Sequence, residues 1–538
     1  MNPSLKSSRK SGRGTLVNVA ALLIVTSLLG QVLGFLRTKL INANFNMPQT
    51  PHGQNAGVYF AAFNIPDFFF YTIAAGALGV AVMPYLSDRL HRGDRKGMWE
   101  LSASILNFLA IIMAVVAVVI LVFAKPLLHH IVAPGLDPEQ LNNAAALMRW
   151  LALNPLLFTI SGILASAQQT LGRFFFFGIA PLFYNLSIIL SIFIFRNNIG
   201  IVGLGIGALI GAVLQLIVIA LGSAKLNFHW HPKILWRNGE FRSMLKQLPP
   251  RSLDQGMDQL QSIVETNFAS RSALGGATAI SNYNNAYILH TAPILLIGTA
   301  ISTAAFPRLN QRLSQGRPDL FRKDFLMIMR AMIWITMPVI ITAYYGRGYL
   351  AHMIFTNNNS DIAEIFGFLT GAIFFRIMYS IISRWFYAQK DTKTPLFVSI
   401  FTIAFNVFLA WKLSQPSAYG VAGLALAQTI VAASEVVLLT FIMLVRDRGL
   451  FNATFWGGVI RTISVTGFSV VAGFIMISFY PLGARDTGLV TLGGKLFFIA
   501  LVIFGVHFAM SALFGLEEVR PFIAKARKLI LRPIKVDF

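Results

Sequence analysis

The sequence has 538 residues, of which 56% are hydrophobic and 12% are charged. Soluble domains carry about 25% charged residues, so this composition excludes an ordinary soluble globular protein and is typical of a chain that folds in lipid. The absence of cysteine excludes disulfides, thiolate metal sites and a cysteine nucleophile. The net charge of +23 lies mostly in loops between apolar runs, and no segment resembles a DNA-binding module, so we expect no nucleic-acid partner.

The chain begins with a polar, basic segment, 1–14, and an apolar run follows at 15–40. A secretory signal has an apolar core of roughly 7–15 residues and ends in a small-residue cleavage site. This run is longer and has no such site. We therefore predict an uncleaved first transmembrane helix with a cytoplasmic N-terminus.

Because a helix needs about 20 apolar residues to cross the hydrocarbon core, each long apolar run is a candidate span. The sequence predicts an all-α integral membrane protein with about 14 transmembrane helices, at 15–40, 58–86, 98–124, 142–171, 175–195, 201–221, 252–270, 280–306, 325–345, 363–388, 396–413, 421–445, 462–480 and 489–513. The seventh of these contains Asp254, Asp258 and Glu265, which must face protein or water within a membrane.

Positive charges test this count of spans. Alternate loops carry clusters of Lys and Arg, such as 89–96, 225–246 and 308–323, whereas the loops between them carry mostly single charges. Since Lys- and Arg-rich loops stay in the cytoplasm, the pattern predicts that both termini are cytoplasmic in a bacterial inner membrane.

Short motifs recur at a nearly constant offset. The pattern P-x-L-x-x-R-L starts at Pro84 and again at Pro307, and Gly-Ile-Val-Gly-Leu at 200–204 matches Gly-Val-Ala-Gly-Leu at 420–424. Duplication of a six-helix unit predicts two parallel six-helix lobes around a central cavity, which is transporter architecture, plus two extra C-terminal helices. The predicted organisation is a basic N-terminus 1–14, first lobe 15–224, cytoplasmic linker 225–251, second lobe 252–450, helices 13 and 14 at 451–515 and a basic cytoplasmic tail 516–538.

Further motifs point to a known family. Residues 386–395 read FYAQKDTKTP, residues 34–37 read GFLR and residues 133–135 read APG. Over nearly its whole length, the chain resembles the MurJ/MviN family of the multidrug/oligosaccharidyl-lipid/polysaccharide exporter superfamily.

The resemblance implies a flippase that moves lipid II, the undecaprenyl-pyrophosphate-linked peptidoglycan precursor, to the outer leaflet by alternating access. It also implies a cavity lined with arginines and a lipid-tail groove formed by the last two helices. Arg37 occupies one of the arginine positions, and its planar fork suits phosphate oxygens.

At other cavity positions the chain departs from the family pattern. Gln31, Tyr71 and Ile288 stand where arginines are usual, and Thr38 and Gly57 replace aspartates. Besides Arg37, the expected substrate-binding residues are Gln31, Lys39, Asn64, Asp67, Tyr71, His290 and Arg376.

Structural roles remain open for several of these residues. Arg37 and Lys39 can instead extend to the lipid headgroups, Arg376 can belong to a structural ion pair and His290 can be a hydrogen-bonded interior histidine.

A cation site is a second expectation. Asp258 and Glu265 are seven residues apart on one helix face and, with Asn406, are candidates for coupling Na⁺ or H⁺ to transport. The alternative is that these carboxylates form salt bridges with Arg251 or Arg376.

The sequence contains no zinc motif, Walker-type loop or nucleophile elbow, so we predict a transporter and not an enzyme, without a cofactor. The expected partners are a lipid-linked cell-wall precursor and membrane lipids, and the expected state is a monomer. Two alternatives stay open, which are an exporter of another lipid-linked oligosaccharide or amphipathic cargo and a non-transporting membrane scaffold.

Overall fold

The computed structural model describes residues 4–520 except 47–49, 76–81, 225, 227, 229, 356–358, 484–485 and 487, and it describes side chains from residue 22 onward except at 52, 75, 247, 249–255, 272 and 489. The described chain is helical and contains no β-strand. The helices of its first half are α1 (Ser4–Phe45), α2 (Ala56–Phe69), α3 (Met83–His91), α4 (Arg95–Leu127), α5 (Pro138–Leu151), α6 (Asn154–Thr170), α7 (Phe175–Phe195), α8 (Gly203–Ala224) and α9 (Gly239–Ala269). Those of its second half are α10 (Ala277–Pro293), α11 (Ala300–Ser314), α12 (Pro318–Ile354), α13 (Asn359–Ala388), α14 (Lys393–Leu413), α15 (Ala422–Arg446), α16 (Ala453–Phe479) and α17 (Leu489–Leu513).

Twelve helical segments of the described chain are long and apolar enough to cross a membrane. They coincide with twelve of the fourteen predicted spans, and the all-α membrane fold is thereby confirmed. The second predicted span, 58–86, includes residues 76–81, which lie outside the described chain. The seventh, 252–270, lies within the continuous helix α9, whose sequence is too polar to belong to the twelve.

Polar residues at the ends of the apolar runs fix where several helices begin. Asp94 accepts a hydrogen bond from the amide of Gly97 at the start of α4, and Asp137 does the same for Gln140 in α5. Asn238 accepts from the amides of Glu240 and Phe241, so it starts α9 well before the predicted seventh span. These side chains satisfy backbone donors that the helix itself leaves without partners.

Local backbone features recur at the offset of the sequence motifs. The π-helical segments Phe70–Ala75 and Ile294–Thr299 lie 224 positions apart. Gly200 and Gly420, which open the repeated glycine motifs, both have positive φ angles, of 69° and 56°. Because such angles strain any residue with a Cβ atom, both copies of the motif need glycine for the same turn.

The chain divides into two compact units, residues 1–281 and 282–538. In the first unit α7 packs against α1 and α8, and a buried core joins α3, α4, α6 and α8 to the start of α9. In the second unit α13 packs against α12 and α15, while α16 and α17 pack on each other and on α12. Trp334 and Val465 lie in the buried core of that last group.

Part of the predicted linker, 225–251, packs into the core of the first unit. Leu226, Phe241 and Met244 are buried in the core of the first unit. Helix α9 also packs against α2, so the compact unit extends to Ser281 and includes the seventh predicted span. The predicted lobes, 15–224 and 252–450, follow the sequence repeat and stay a prediction.

Candidate functional site

Arg37 lies in α1, eight residues before the helix ends at Phe45, and within a membrane-spanning segment. Its Nη1 donates a 3.0 Å hydrogen bond to Oδ1 of Asn185 on α7. Its Nε is buried and has no hydrogen-bond partner in the described part of the chain. The guanidinium is therefore held by a neutral amide, and its buried Nε is a donor that nothing in the described chain satisfies.

Side chains of α2 and α7 lie within electrostatic range of this guanidinium. The charge of Arg37 acts on Tyr59 and Asp67 of α2 and on Tyr184 of α7. Asp67 and Tyr59 are eight residues apart, so both lie on one face of α2. Tyr71, which is 38% exposed, is close enough to feel the charge of Asp67. The structure thus brings the predicted residues Arg37, Asp67 and Tyr71 into one neighbourhood.

Gln31 and Lys39 point elsewhere on the same helix. At about 100° per residue, the side chain of Lys39 lies about 160° around the axis of α1 from that of Arg37. The side chain of Gln31 lies about 120° from it. Gln31 is exposed and Lys39 is half-buried with an interaction of its own. The structure does not bring these two residues onto the face of Arg37.

Asn64 joins two helices. Its Nδ2 donates to Oγ1 of Thr266 at 3.3 Å, and its Oδ1 accepts from Oγ of Ser262 at 3.1 Å, both on α9. The side chain is 7% exposed. Its hydrogen bonds therefore hold α2 against α9 in this conformation.

Two departures from the family pattern have a packing explanation. A Cβ atom at Gly57 would lie 1.8 Å from the carbonyl oxygen of Ala277, so an aspartate does not fit there. Thr38 is buried, and its Oγ1 donates to the carbonyl oxygen of Gly34 one turn earlier. Both positions now serve close packing within the first unit.

The cation candidates lie in different surroundings. Glu265 is buried and accepts a 2.9 Å hydrogen bond from Nε2 of Gln261, whereas Asp258 is exposed. Both have further interactions, and the side chain of Asp254 lies outside the described residues. Asn406, in the second unit, is 1% exposed and neither of its amide atoms has a hydrogen-bond partner among the described residues.

Arg376 of α13 belongs to a buried polar network with α14 and α15. Its Nη1 lies 3.2 Å from Oε2 of Glu435, and its Nη2 donates to Oε1 of Gln428 at 3.2 Å. The other carboxylate oxygen of Glu435 accepts a 2.8 Å hydrogen bond from Ser399. Sequence analysis missed Glu435, although a carboxylate in the middle of an apolar span was a signal for such a partner.

His290 lies at the end of α10 and is 2% exposed. Neither ring nitrogen has a hydrogen-bond partner among the described residues, and the ring lies 5.3 Å from that of Tyr287. The charge of Arg376 acts on this imidazole. The described contacts thus do not contain the hydrogen bond of the alternative role, an interior histidine, and His290 and Arg376 are neighbours in the second unit.

No group of three or more His, Asp or Glu side chains that could hold a metal ion occurs among the described residues. The amides, phenols and separate charges of these neighbourhoods suit a polar or anionic solute, which arginine binds through several N–H groups.

Comparison with known proteins gives a consistent result. The family model described as lipid II flippase MurJ matches residues 52–485. A probable lipid II flippase MurJ of Rhizobium tropici is 26% identical over 514 residues, which cover 90% of this chain and 92% of the relative. The corresponding protein of Borreliella burgdorferi is 23% identical over 436 residues, covering 79% of this chain and 83% of the relative.

Solved structures share the fold. A lipid II flippase MurJ in an inward closed conformation matches with a TM-score of 0.75 and 19% identity, covering 94% of this chain and 100% of that chain. An inward-facing multidrug resistance MATE family transporter of the MOP superfamily matches with a TM-score of 0.65 and 16% identity, covering 80% of this chain and 98% of that chain. At these identities the likeness concerns the fold.

Proposed function

The chain belongs to the lipid II flippase MurJ family, and from this premise we propose that it moves lipid II from the inner to the outer leaflet of the bacterial inner membrane by alternating access. In this proposal the cargo is the undecaprenyl-pyrophosphate-linked peptidoglycan precursor, the protein acts as a monomer without enzymatic chemistry, and both termini are cytoplasmic. The basic loops that flank the apolar spans support this orientation.

The observation that carries the proposal is the state of Arg37. A pyrophosphate crossing about 30 Å of hydrocarbon needs a cationic partner, because a bare charge there costs several kcal/mol. Arg37 lies within a membrane-spanning segment, its hydrogen-bond partner in the described chain is the neutral Asn185, and its Nε is without a partner. Such a guanidinium has both charge and donors left for phosphate oxygens.

The remaining candidate residues have different parts in the proposal. Tyr71 and Asp67 lie near Arg37 and would contact sugar or amide groups of the cargo. Asn64 would become available only if α2 and α9 separate. Gln31 and Lys39, on other faces of α1, would contact the cargo during entry, and His290 with Arg376 would do so in the second unit.

Coupling to a cation, Na⁺ or H⁺, is the energetic part of the proposal. Glu265 is a buried carboxylate, and Asn406 is buried with an amide that lacks hydrogen-bond partners in the described chain. Asp258 is exposed on the same helix as Glu265. We expect transport into proteoliposomes to depend on a Na⁺ or proton gradient and to lose that dependence in Glu265→Gln.

Depletion and rescue test the function. In a bacterium whose own lipid II flippase is switched off, the unsubstituted protein should restore growth, and Arg37→Ala at equal membrane levels should not. The matched control is Arg196→Ala, because Arg196 donates a similar hydrogen bond to Asn44 of α1 but at the exposed end of α7. This control should rescue.

Rescue by all three proteins would remove Arg37 from the proposed site. Failure of all three, with the proteins folded in the membrane, would favour an exporter of another lipid-linked oligosaccharide. The specific observation behind that second candidate is that Gln31, Tyr71 and Ile288 replace arginines of the family pattern. Failure together with a lack of transport of any lipid-linked oligosaccharide in proteoliposomes would favour a scaffold.

A further inference from the structure

Residues 226–246, called here the linker segment and described except for 227 and 229, combine exposed tryptophans with a fixed backbone. Trp230 and Trp236 are 56% and 52% exposed. Nε1 of Trp230 donates to Oδ1 of Asn107 on α4 at 2.9 Å, and the ring of Trp236 packs at 5.5 Å from that of Phe108. Both indoles are thus held in position while half of their surface remains uncovered.

Contacts with α4 place this segment along the edge of an apolar span. The amide of Leu235 donates to Oγ of Ser104, and Nδ2 of Asn107 donates to the carbonyl oxygens of His231 and Lys233. Directly after Asn107, residues 108–124 are an uninterrupted apolar run. The segment therefore stops where the hydrocarbon-crossing part of α4 begins, which is the level that tryptophan prefers in membranes.

The charge of the segment is positive and unbalanced. Lys233, Arg237, Arg242 and Lys246 are exposed, and none of them has a carboxylate partner in the described chain. The single carboxylate among residues 226–246 is Glu240, which already accepts a 2.6 Å hydrogen bond from Arg89.

Several arginines of the other basic loops are paired. Arg308 and Arg312 share Asp324, Arg446 pairs with Asp391 and Arg322 pairs with Asp447. Those cations are paired with carboxylates of the same loop, as for Asp324, or of another loop, as for Asp391 and Asp447. The linker segment is a place where four exposed cations and two exposed indoles lie together without such a balance.

We propose that the linker segment binds bilayer phospholipids with anionic headgroups. The two indoles lie at the level of the glycerol and headgroups, and the four cations contact the lipid phosphates. Tryptophan is enriched at this depth, and basic clusters next to a membrane attract anionic lipid. This surface is separate from Arg37 and does not depend on the proposed transport of lipid II.

The test uses the absence of cysteine in the chain. Ser243, an exposed residue beside Arg242, is replaced in Ser243→Cys and labelled with an environment-sensitive fluorophore in the full-length protein. Nanodiscs of phosphatidylcholine receive equal small fractions of doxyl-labelled phosphatidylglycerol or doxyl-labelled phosphatidylcholine. We expect at least about threefold stronger quenching by the anionic lipid.

Two variants that lose the same number of positive charges distinguish an effect of the linker segment from an effect of the net charge of the protein. Replacing Lys233, Arg237, Arg242 and Lys246 by Gln should make the two labelled lipids equally effective. The control replaces four exposed cations elsewhere by Gln, at Arg173, Lys390, Lys393 and Arg448, and should keep the preference. A second pair, Trp230→Ala with Trp236→Ala, should weaken quenching by both lipids.

Equal quenching by both lipids in the labelled Ser243→Cys protein would overturn the proposal, as would an equal loss of preference in the control variant. If the first variant fails to fold, high salt replaces it, since screening should remove the preference in the labelled Ser243→Cys protein. A preference insensitive to salt would contradict the proposal. So would quenching by a labelled polyprenyl pyrophosphate without any preference for phosphatidylglycerol, because the surface would then bind cargo.

Discussion

Arg37 in the first unit and Arg376 in the second are two arginines of membrane-spanning segments with opposite surroundings. Arg37 bonds to the neutral amide of Asn185, and its Nε lacks a partner in the described chain. Arg376 bonds to the carboxylate of Glu435 and to the amide of Gln428.

The comparison shows how the partner, and not the arginine itself, indicates a role. A buried guanidinium that is paired with a carboxylate is close to charge balance, and removing either group leaves the other uncompensated. Arg37 is hydrogen-bonded to an amide and forms no ion pair in the described chain, although its charge acts on the nearby Asp67. We therefore infer that Arg376 mainly stabilises the contact of α13 with α15, whereas Arg37 remains available to an anion.

Breaking the ion pair of Arg376 with Glu435 should have the largest effect on stability. Arg376→Ala leaves Glu435 buried without its cation and should lower the free energy of unfolding by about 3–5 kcal/mol. Thermal unfolding in detergent micelles measures this change. The double variant Arg376→Met with Glu435→Leu should recover most of the loss, and a double variant as unstable as the single one would show that the pair is not the cause.

Giving Arg37 a carboxylate partner sharpens the comparison. Asn185→Asp should leave the fold intact but reduce lipid II transport about tenfold or more, which corresponds to about 1.4 kcal/mol, because the new anion competes with the cargo phosphate. Transport of labelled lipid II in proteoliposomes measures the effect. Asn44→Asp, which alters the exposed bond to Arg196 in the same way, should transport normally, and full activity of Asn185→Asp would refute the assignment.

Removing Arg37 should cost little stability. Arg37→Ala loses one hydrogen bond to a neutral amide and the longer-range attraction to Asp67, with which Arg37 forms no ion pair in the described chain, so the expected decrease in the free energy of unfolding is about 1 kcal/mol. The measurement is the same unfolding experiment as for Arg376→Ala. A decrease as large as that of Arg376→Ala would mean that Arg37 is a structural residue like Arg376.

The smallest effect is expected at an ion pair outside the spans. Burial by itself raises the pKa of Asp391, but hydrogen bonds from the side chain and backbone of Thr394 and from Arg446 outweigh it and lower the pKa from 3.8 to about 2. Since the folded value is the lower one, the stabilisation is complete above about pH 4 and disappears as the pH falls through about 2. For such an exposed pair we expect at most about 1 kcal/mol.

Asp391→Asn provides the check. Its melting temperature should lie slightly below that of the unsubstituted protein at neutral pH, and the two should converge as the pH falls to about 2. A constant difference across this range would contradict the assigned pair.

Apolar length alone predicted most of the fold. Twelve predicted spans coincide with long apolar helices. A helix that crosses a membrane needs a minimum length and an apolar composition, and both can be read directly from the sequence. Helix α9 was harder, since its polar residues form contacts such as Asn64 with Ser262 and Thr266 that depend on the partner helix. Its start at Asn238 also lies outside the apolar run.

The candidate site was predicted less completely for a physical reason. Family resemblance identified Arg37, but its bond to Asn185 joins residues 148 positions apart, and no periodicity connects them. Helical geometry, in contrast, separates Lys39 and Gln31 from Arg37, and this could have been derived from spacing alone. Glu435 could have been found as well, because an isolated carboxylate in an apolar span demands a partner.

The unbroken course of α9 has a mechanical consequence. Its 31 residues run from Gly239, inside the linker segment, to Ala269, and Asn267 near its far end donates to the carbonyl oxygen of Ile131. A displacement of the linker segment would pass along this one helix toward Asn267, less any bending at Pro249 and Pro250, where backbone donors are missing. If the linker segment follows its lipids, bilayer thickness becomes a variable that changes the load on the contact with Ile131.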